Sequence, residues 1–220
     1  MNDTKMIPVM ESVYERNAKL AVEFNQKLTD RNIFCVNVMG APGVGKTLAL
    51  TQIIKRLNAP AYVVEGDIAS DIDTQKLQAL GIPAAQVNTG GACHLDAPVV
   101  AEAFTDGEFS NGFLFVENIG NLVCPAEFMI GEHIKVLISA VTEGSDKPYK
   151  YPLAFEKADI VLLNKIDLLG SKVDFDMEFF LDGIQKLNPA APVCPVSSKT
   201  GKGVDRAVQW ILNKAASVIM

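Results

Sequence analysis

The stretch Gly40-Ala41-Pro42-Gly43-Val44-Gly45-Lys46-Thr47 decides the fold of this chain. It fits G-x-x-x-x-G-K-S/T, a loop that cradles phosphates. Its glycines let the backbone turn tightly and aim N–H groups inward at an anion. A helix starting near Lys46 adds the positive end of its dipole. Lys46 can reach the β- and γ-phosphates, and the Thr47 hydroxyl can join a Mg²⁺ shell. The flanks agree, because Ile33 to Met39 reads as a strand entering the loop and Thr47 to Leu57 as a helix leaving it. Gly43, Val44, Gly45, Lys46, Thr47 and Leu48 are the nucleotide-binding candidates here. The loop implies a nucleoside triphosphate but neither its base nor the use of its energy.

Working outward, apolar runs alternate with amphipathic ones. Ala61 to Glu65, Ala85 to Asn88, Phe113 to Val116, Ile134 to Ala140, Asp159 to Leu163 and Pro192 to Val196 read as strands. Several are continuously apolar, the signature of parallel strands covered on both faces. Helices are expected over Glu11 to Thr29, Asp71 to Leu80, Pro98 to Phe104, Phe175 to Leu187 and Val204 to Ser217. Such alternation implies right-handed crossovers and an α/β fold: a Rossmann-like P-loop NTPase, its mostly parallel sheet covered by helices on both faces. A single-domain organisation is expected, with 1–30 an amphipathic helix packed on the nucleotide-binding domain and 31–220 that domain. The polar loop Thr142 to Pro148 reads as exposed.

Composition narrows the function classes. The 220 residues are 49% hydrophobic and 21% charged, ordinary for a globule with a full core. A net charge of −6 argues against a nucleic-acid partner. No apolar run has membrane-spanning length, and Met1 to Met10 carries no apolar signal-peptide core, so a cytoplasmic location is the default expectation. In a reducing compartment the 4 cysteines are core, metal or redox residues rather than disulfides.

The base is indicated by Asn164-Lys165-Ile166-Asp167, which follows the strand ending at Leu163 and resembles the N-K-x-D motif of GTPases. The Asp167 carboxylate can accept both the N1–H and the exocyclic N2–H₂ of guanine, a donor pair that adenine lacks, and such a site rejects the wrong base strongly. The resemblance places Lys165 along the base and makes Asn164 a tie between loops. Ser197-Ser198-Lys199 resembles the weaker element that backs the base, so Ser198 and Lys199 join the binding candidates. The competing reading is a polar turn that merely closes a strand.

Glu117-Asn118-Ile119-Gly120 occupies the place of the GTPase D-x-x-G switch, with Glu in place of Asp. Its carboxylate can hold Mg²⁺ through water, and the Gly120 N–H can sense the γ-phosphate. Asp67, at the end of another strand, is the alternative carboxylate, and a helix N-terminal acid is the competing reading for it. Lys46, Asp67 and Glu117 are the catalytic candidates, and Thr47, Asp67 and Glu117 those for Mg²⁺. Asn121 stands where many small GTPases place a water-orienting Gln, which implies slow intrinsic hydrolysis or a catalytic group from a partner.

Cys35 and Cys194 lie in apolar strand runs and read as small buried hydrophobes. Cys93-His94 follows a Gly-rich approach, and Cys124 lies four residues beyond Gly120. Two thiolates and an imidazole suit Zn²⁺ or Ni²⁺ but are one ligand short of a closed tetrahedral site. Water, an exchange position for cargo or a second subunit can fill the gap. Two unrelated buried cysteines are the rival reading. His133, alone before a strand, is assigned no role.

Taken together, the loop at Gly40 to Thr47, Glu65-Gly66-Asp67, Cys93-His94-Leu95-Asp96-Ala97, the run Glu117 to Pro125 and Asn164 to Asp167 closely resemble the HypB family. These are GTPases that help insert nickel into NiFe-hydrogenase. The resemblance spans the chain from the first helix onward. It implies hydrolysis of GTP to GDP with Mg²⁺, a homodimer formed with GTP bound, and Ni²⁺ or Zn²⁺ held by Cys93, His94 and Cys124 at the dimer interface. It also implies the zinc-binding maturation protein HypA as partner and, through it, the hydrogenase large subunit. The chain departs from some relatives. Cys35 is its only cysteine before Cys93, so an N-terminal cysteine motif is absent, and with only 2 histidines a His-rich stretch is absent too. A nickel-storage role is therefore not expected. By resemblance Lys147 reaches toward the partner's nucleotide, against the simpler reading of a solvated loop lysine.

The rivals are weaker. A urease-accessory nickel GTPase would carry C-P-H, which Cys124-Pro125-Ala126 does not complete. A small-molecule P-loop kinase leaves Asn164 to Asp167 unexplained. A third rival is a purely regulatory, non-hydrolysing metal-binding module, which GTP turnover abolished by Lys46→Ala would exclude.

Overall fold

In the computed structural model, residues 9–67, 71–105, 107–170 and 173–219 are described. The expectation for residues 1–8 and the side chains of 9–13, Val13 included, lie outside them. Among the described residues the strands are β1 (Ile33–Met39), β2 (Ala61–Asp67), β3 (Ala84–Asn88), β4 (Gly112–Glu117), β5 (Ile134–Ala140), β6 (Ile160–Asn164) and β7 (Val193–Pro195). They form one sheet in the order β3-β2-β4-β1-β5-β6-β7. Every pairing is parallel, so the sheet is wholly rather than mostly parallel.

The helices are α1 (Val9–Asp30), α2 (Lys46–Leu57), α3 (Ile72–Ala79), α4 (Ala97–Ala103), α5 (Cys124–Glu127), α6 (Lys147–Lys150), α7 (Pro152–Glu156), α8 (Met177–Leu187) and α9 (Val204–Ile219). All seven residues of β1 are buried, because it is covered on both faces. Phe34, Val36 and Val38 point to the layer of α2 and α9, where Leu50, Ile53, Ala207 and Ile211 meet them. Ile33 and Cys35 point to the opposite layer with Leu28 of α1 and Val100 of α4. Met39 packs beside Phe155 and Phe180 of α7 and α8. Each fully buried Phe contributes about 2–3 kcal/mol of transfer free energy.

Helix ends follow local chemistry. Asp96 caps α4, its carboxylate accepting from Val99 N at 3.1 Å. Asp176 caps α8 through Phe179 N at 2.9 Å, so α8 begins two residues later than its apolar pattern indicates. The short α5, α6 and α7 were not anticipated, since four or five residues carry too little periodicity to read.

The loop expected to be exposed is only partly so: Thr142 is exposed, Glu143 to Lys147 are half-buried and Pro148 is buried. Thr142 to Pro148 contains a 3₁₀ turn (Val141–Glu143) and the start of α6, and Pro148 is buried against Gly183 of α8. Lys147 keeps only 19% side-chain exposure, 3.6 Å from Glu143 and over the Tyr151 ring, so it is not a solvated loop lysine. A short proline-started helix folds these polar residues back on themselves and hides their stems.

Candidate functional site

The chain reverses its direction of growth across the sheet at β1, which lies between β4 and β5. Ligands of open α/β sheets bind beyond the strand carboxyl ends at such a switch point. The phosphate loop stands there. Gly40, Gly43 and Gly45 have φ of 157°, 75° and 93°. At Gly43 and Gly45 the positive φ excludes ordinary L side chains at little cost to glycine. A Cβ on Gly40 would stand 2.5 Å from the Ile138 carbonyl oxygen, so sterics require glycine there. Lys46 Nζ folds onto the Gly40 and Ala41 carbonyls at 3.3 and 3.4 Å. Burial lowers its pKa, while Glu117 and Glu65 oppose that shift.

Beside the loop lies a cavity of about 230 Å³, lined among others by Lys46, Glu65, Asp67, Asp73, Glu117 and Gly120. The Thr47 hydroxyl lies 2.8 Å from Glu117 Oε1 and 3.1 Å from Asp73 Oδ2. Asp67 also lines the cavity, at the end of β2. Glu117 is 4% exposed, and its Oε2 has no hydrogen-bond partner among the described residues. Burial raises its pKa to about 7. Four carboxylates around one ammonium, with a buried carboxylate oxygen unpaired, fit a hard divalent cation such as Mg²⁺. Asp73 is a residue that sequence reading missed. Its only signal was an acid in the first turn of α3, where acids are common.

The guanine candidates assemble on the other side of the loop. Asn164 is buried; its Nδ2 donates to the Val44 carbonyl at 2.8 Å and its Oδ1 accepts from Ser198 N at 2.9 Å. It therefore ties the phosphate loop to the element after β7. Lys165, at φ 62°, crosses to the Gly43 carbonyl at 2.6 Å. Asp167 is exposed, with its Oδ1 accepting from Ser197 Oγ at 2.6 Å, and Lys199 is exposed beyond it. Leu48 is 46% exposed and instead lines an adjacent groove between α2 and α3.

At the third corner Cys93, His94 and Cys124 converge, with ligand atoms all within 4.8 Å of one another. The two sulfurs are 2.8 Å apart, and Cys93 Sγ lies 3.5 Å from His94 Nδ1. The hydrogen bond to Cys124 raises the Cys93 pKa, and burial lowers that of His94, favouring the neutral ring that ligates metals. The His94 ring stacks on Phe128 at 3.7 Å between centroids, and Tyr14 of α1 stacks on Phe128 at 4.7 Å. Asn17 of α1, 7% exposed, donates to the Met129 carbonyl at 2.9 Å and accepts from Ala97 N at 3.0 Å. Neither Phe128 nor Asn17 had a readable signal, because both act only through contacts distant in sequence. Cys35 and Cys194 are buried, with pKa values raised by that burial. His133 is structural: its Nδ1 accepts from Cys35 N at 2.8 Å, and its ring stacks on Phe34.

Comparison with known proteins identifies the family and supports the fold. Residues 34–195 match the family described as CobW/HypB/UreG, nucleotide-binding domain. The hydrogenase maturation factor HypB of Azotobacter chroococcum mcd 1 is 42% identical over 214 residues, covering 96% of this chain and 70% of that protein. The crystal structure of Helicobacter pylori HypB in complex with nickel superposes with a TM-score of 0.87 at 34% identity, covering 93% of this chain and 97% of the other. HypB from Archaeoglobus fulgidus gives 0.84 at 32% identity, covering 91% and 99%. No helix among the described residues is long and apolar enough to cross a membrane. With nearly the whole chain matched in sequence and in fold, the chain belongs to the CobW/HypB/UreG family and, within it, to the HypB hydrogenase maturation factors.

Proposed function

We propose that this chain is a cytoplasmic GTP-hydrolysing metallochaperone, coupling its nucleotide state and dimerisation to binding and delivery of nickel, or zinc, during NiFe-hydrogenase maturation. One observation carries this reading: a single segment serves both ends of the site. Glu117 meets Thr47 beside the phosphate loop, Gly120 packs on Pro42 within that loop, and Cys124 belongs to the thiol–imidazole cluster. This continuity of one segment is what supports coupling between the two ends.

In this reading Gly43 to Leu48 bind the phosphates, and Asn164, Lys165, Asp167, Ser198 and Lys199 bind guanine. Lys46 stabilises charge developing on the transferred phosphoryl group. Thr47, Glu117 and Asp73, with Asp67 nearby, would hold Mg²⁺, which when bound neutralises phosphate charge. Hydrolysis is slow because the Asn121 amide is engaged with the Cys93 carbonyl and Val123 N and so does not orient water. Cys93, His94 and Cys124 take the cargo ion. Being one ligand short of a closed site, they are completed by a second copy across a two-fold axis, so the working state is a GTP-dependent homodimer. HypA, and through it the hydrogenase large subunit, are the partners. The N-terminal segment, helical over Val9–Asp30, and the nucleotide-binding domain act as one unit, supported by Asn17 and Leu28 packing into the rest of the chain.

The test is the nickel or zinc affinity with GDP and with a non-hydrolysable GTP analogue. The affinities should differ, and linkage requires metal to change GTP affinity by the same factor. Equal values in both states would remove the coupling.

A further inference from the structure

Two asparagines of the Glu117 to Cys124 segment grip the opposite loop, and they grip it unequally. Asn118 is fully buried. Its Oδ1 accepts from Leu95 N at 3.2 Å and Ile119 N at 3.0 Å, its Nδ2 donates to Asn37 Oδ1 at 3.2 Å, and its N–H donates to the Val38 carbonyl at 3.0 Å. Leu95 is 1% exposed and packs so tightly on β2 that a Cβ at Gly66 would stand 2.8 Å from its Cδ1. Leu95 is therefore a fixed point of the loop.

Asn121, three residues on, is only partly buried. Its backbone forms an isolated antiparallel bridge with Gly40, the first residue of the phosphate loop. Its Nδ2 donates to the Cys93 carbonyl at 3.1 Å, and its Oδ1 accepts from Val123 N at 2.8 Å. One amide thus holds both a thiol residue and the neighbour of the other thiol residue. Between the two asparagines sits Gly120, where a Cβ would lie 2.9 Å from Pro42 Cγ.

We propose that Asn121 is the positioning residue that transmits the nucleotide state to the metal ligands, with Asn118 as its fulcrum. This rests on the coupled reading above. A shift of Gly120 on γ-phosphate binding carries Asn121 with it and draws Cys93 and Cys124 along through its two hydrogen bonds. Leu95, held by Asn118 and Gly66, does not follow, so His94 beside it lags. The thiols then move relative to the imidazole, and the ligand set is reshaped rather than displaced as a whole. A ligand shifts an equilibrium only through interactions that differ between the two states. The Asn121 hydrogen bonds are the contacts that can differ here without unfolding the loop.

The experiment uses the full chain, with Ni²⁺ as the probe, and measures its Kd by chelator competition in GDP and in a non-hydrolysable GTP analogue with Mg²⁺. Wild type should show a ratio between states of roughly 5- to 150-fold, the usual range of such couplings. Asn121→Ala should bring that ratio to about one while nickel still binds, and Asn121→Gln, which keeps the amide, should restore part of it. The thiolate-to-nickel charge-transfer absorption should change with nucleotide in wild type and stay constant in Asn121→Ala. A wild-type ratio in Asn121→Ala overturns the proposal and leaves the coupling reading standing. Loss of nickel binding in both states, unrescued by Asn121→Gln, also overturns it, because a mere loop support moves both affinities alike. A ratio of one in wild type instead refutes the coupling itself.

Discussion

The guanine corner, on β5 to β7, and the thiol corner, beyond β3 and β4, differ in how their loops are held. At the guanine corner every residue of β6 is buried, and the buried Asn164 locks the phosphate loop to Ser198. At the thiol corner β3 has no fully buried residue, Gly90 and Gly91 have φ of 59° and 105°, and Cys93 is exposed. Low burial marks segments that open locally at little cost. On the proposed function, a pocket that rejects adenine needs fixed partners, while ligands that accept and release an ion need room to rearrange. The two corners meet that contrast on one sheet edge.

The largest expected effect probes the rigid corner. Asp167→Ala should lower GDP affinity roughly a thousandfold, by leaving guanine donors unpaired, without altering metal affinity. Equal loss of metal affinity, read by competition titration, would show that the corners are not separately built.

The wall between the corners comes next. The buried Glu117 carboxyl titrates at about 7, against 4.5 when unperturbed. The folded state therefore holds this proton more tightly than the unfolded one. The resulting stability is fully present below about pH 4.5 and is lost as pH rises to 7, amounting to about 3 kcal/mol. Urea melts of nucleotide- and Mg²⁺-free protein at pH 5 and pH 8 should show this fall, and Glu117→Gln should remove it. A wild-type slope in that variant would place the titration elsewhere.

At the soft corner, Cys124→Ala should weaken nickel or zinc binding by about a hundredfold, the upper end of what even outer-shell partners cost. GDP affinity should stay within about twofold; loss of both would make Cys124 a structural cysteine. The smallest effect concerns the brace behind that corner. Asn17→Ala removes the bonds to Met129 and Ala97, and should cost about 1–2 kcal/mol in thermal or urea melts. It should leave GDP binding unchanged. A matching loss of GDP affinity would mean that α1 supports both corners.

Much of this was legible in the chain. The strand–loop–helix around Gly40 to Thr47 and the repeated apolar runs indicate a parallel sheet, because doubly buried strands and glycines at positive φ leave a local mark on sequence. The spacing of Cys93, His94 and Cys124 left open whether the thiols meet, and the fold brings them together. Asn164 as a loop tie followed from its resemblance to a known motif, and its bonds to Val44 and Ser198 agree.

Asp73, Phe128, Asn17 and the two ends of Asn121 were not legible. A carboxylate in a first helical turn, an aromatic after a short helix and an asparagine on a polar face each have common local uses. The half-buried Lys147 and the buried Pro148 escaped for the same reason: a polar loop looks the same whether or not it folds back on its neighbours. By itself the sequence determined the phosphate loop and the alternation of strands with the longer helices, since these follow from local periodicity and side-chain chemistry. Only the tertiary structure decided which carboxylates face Thr47 and which amide joins the switch to the thiols, because those choices depend on where distant strands end beside one another.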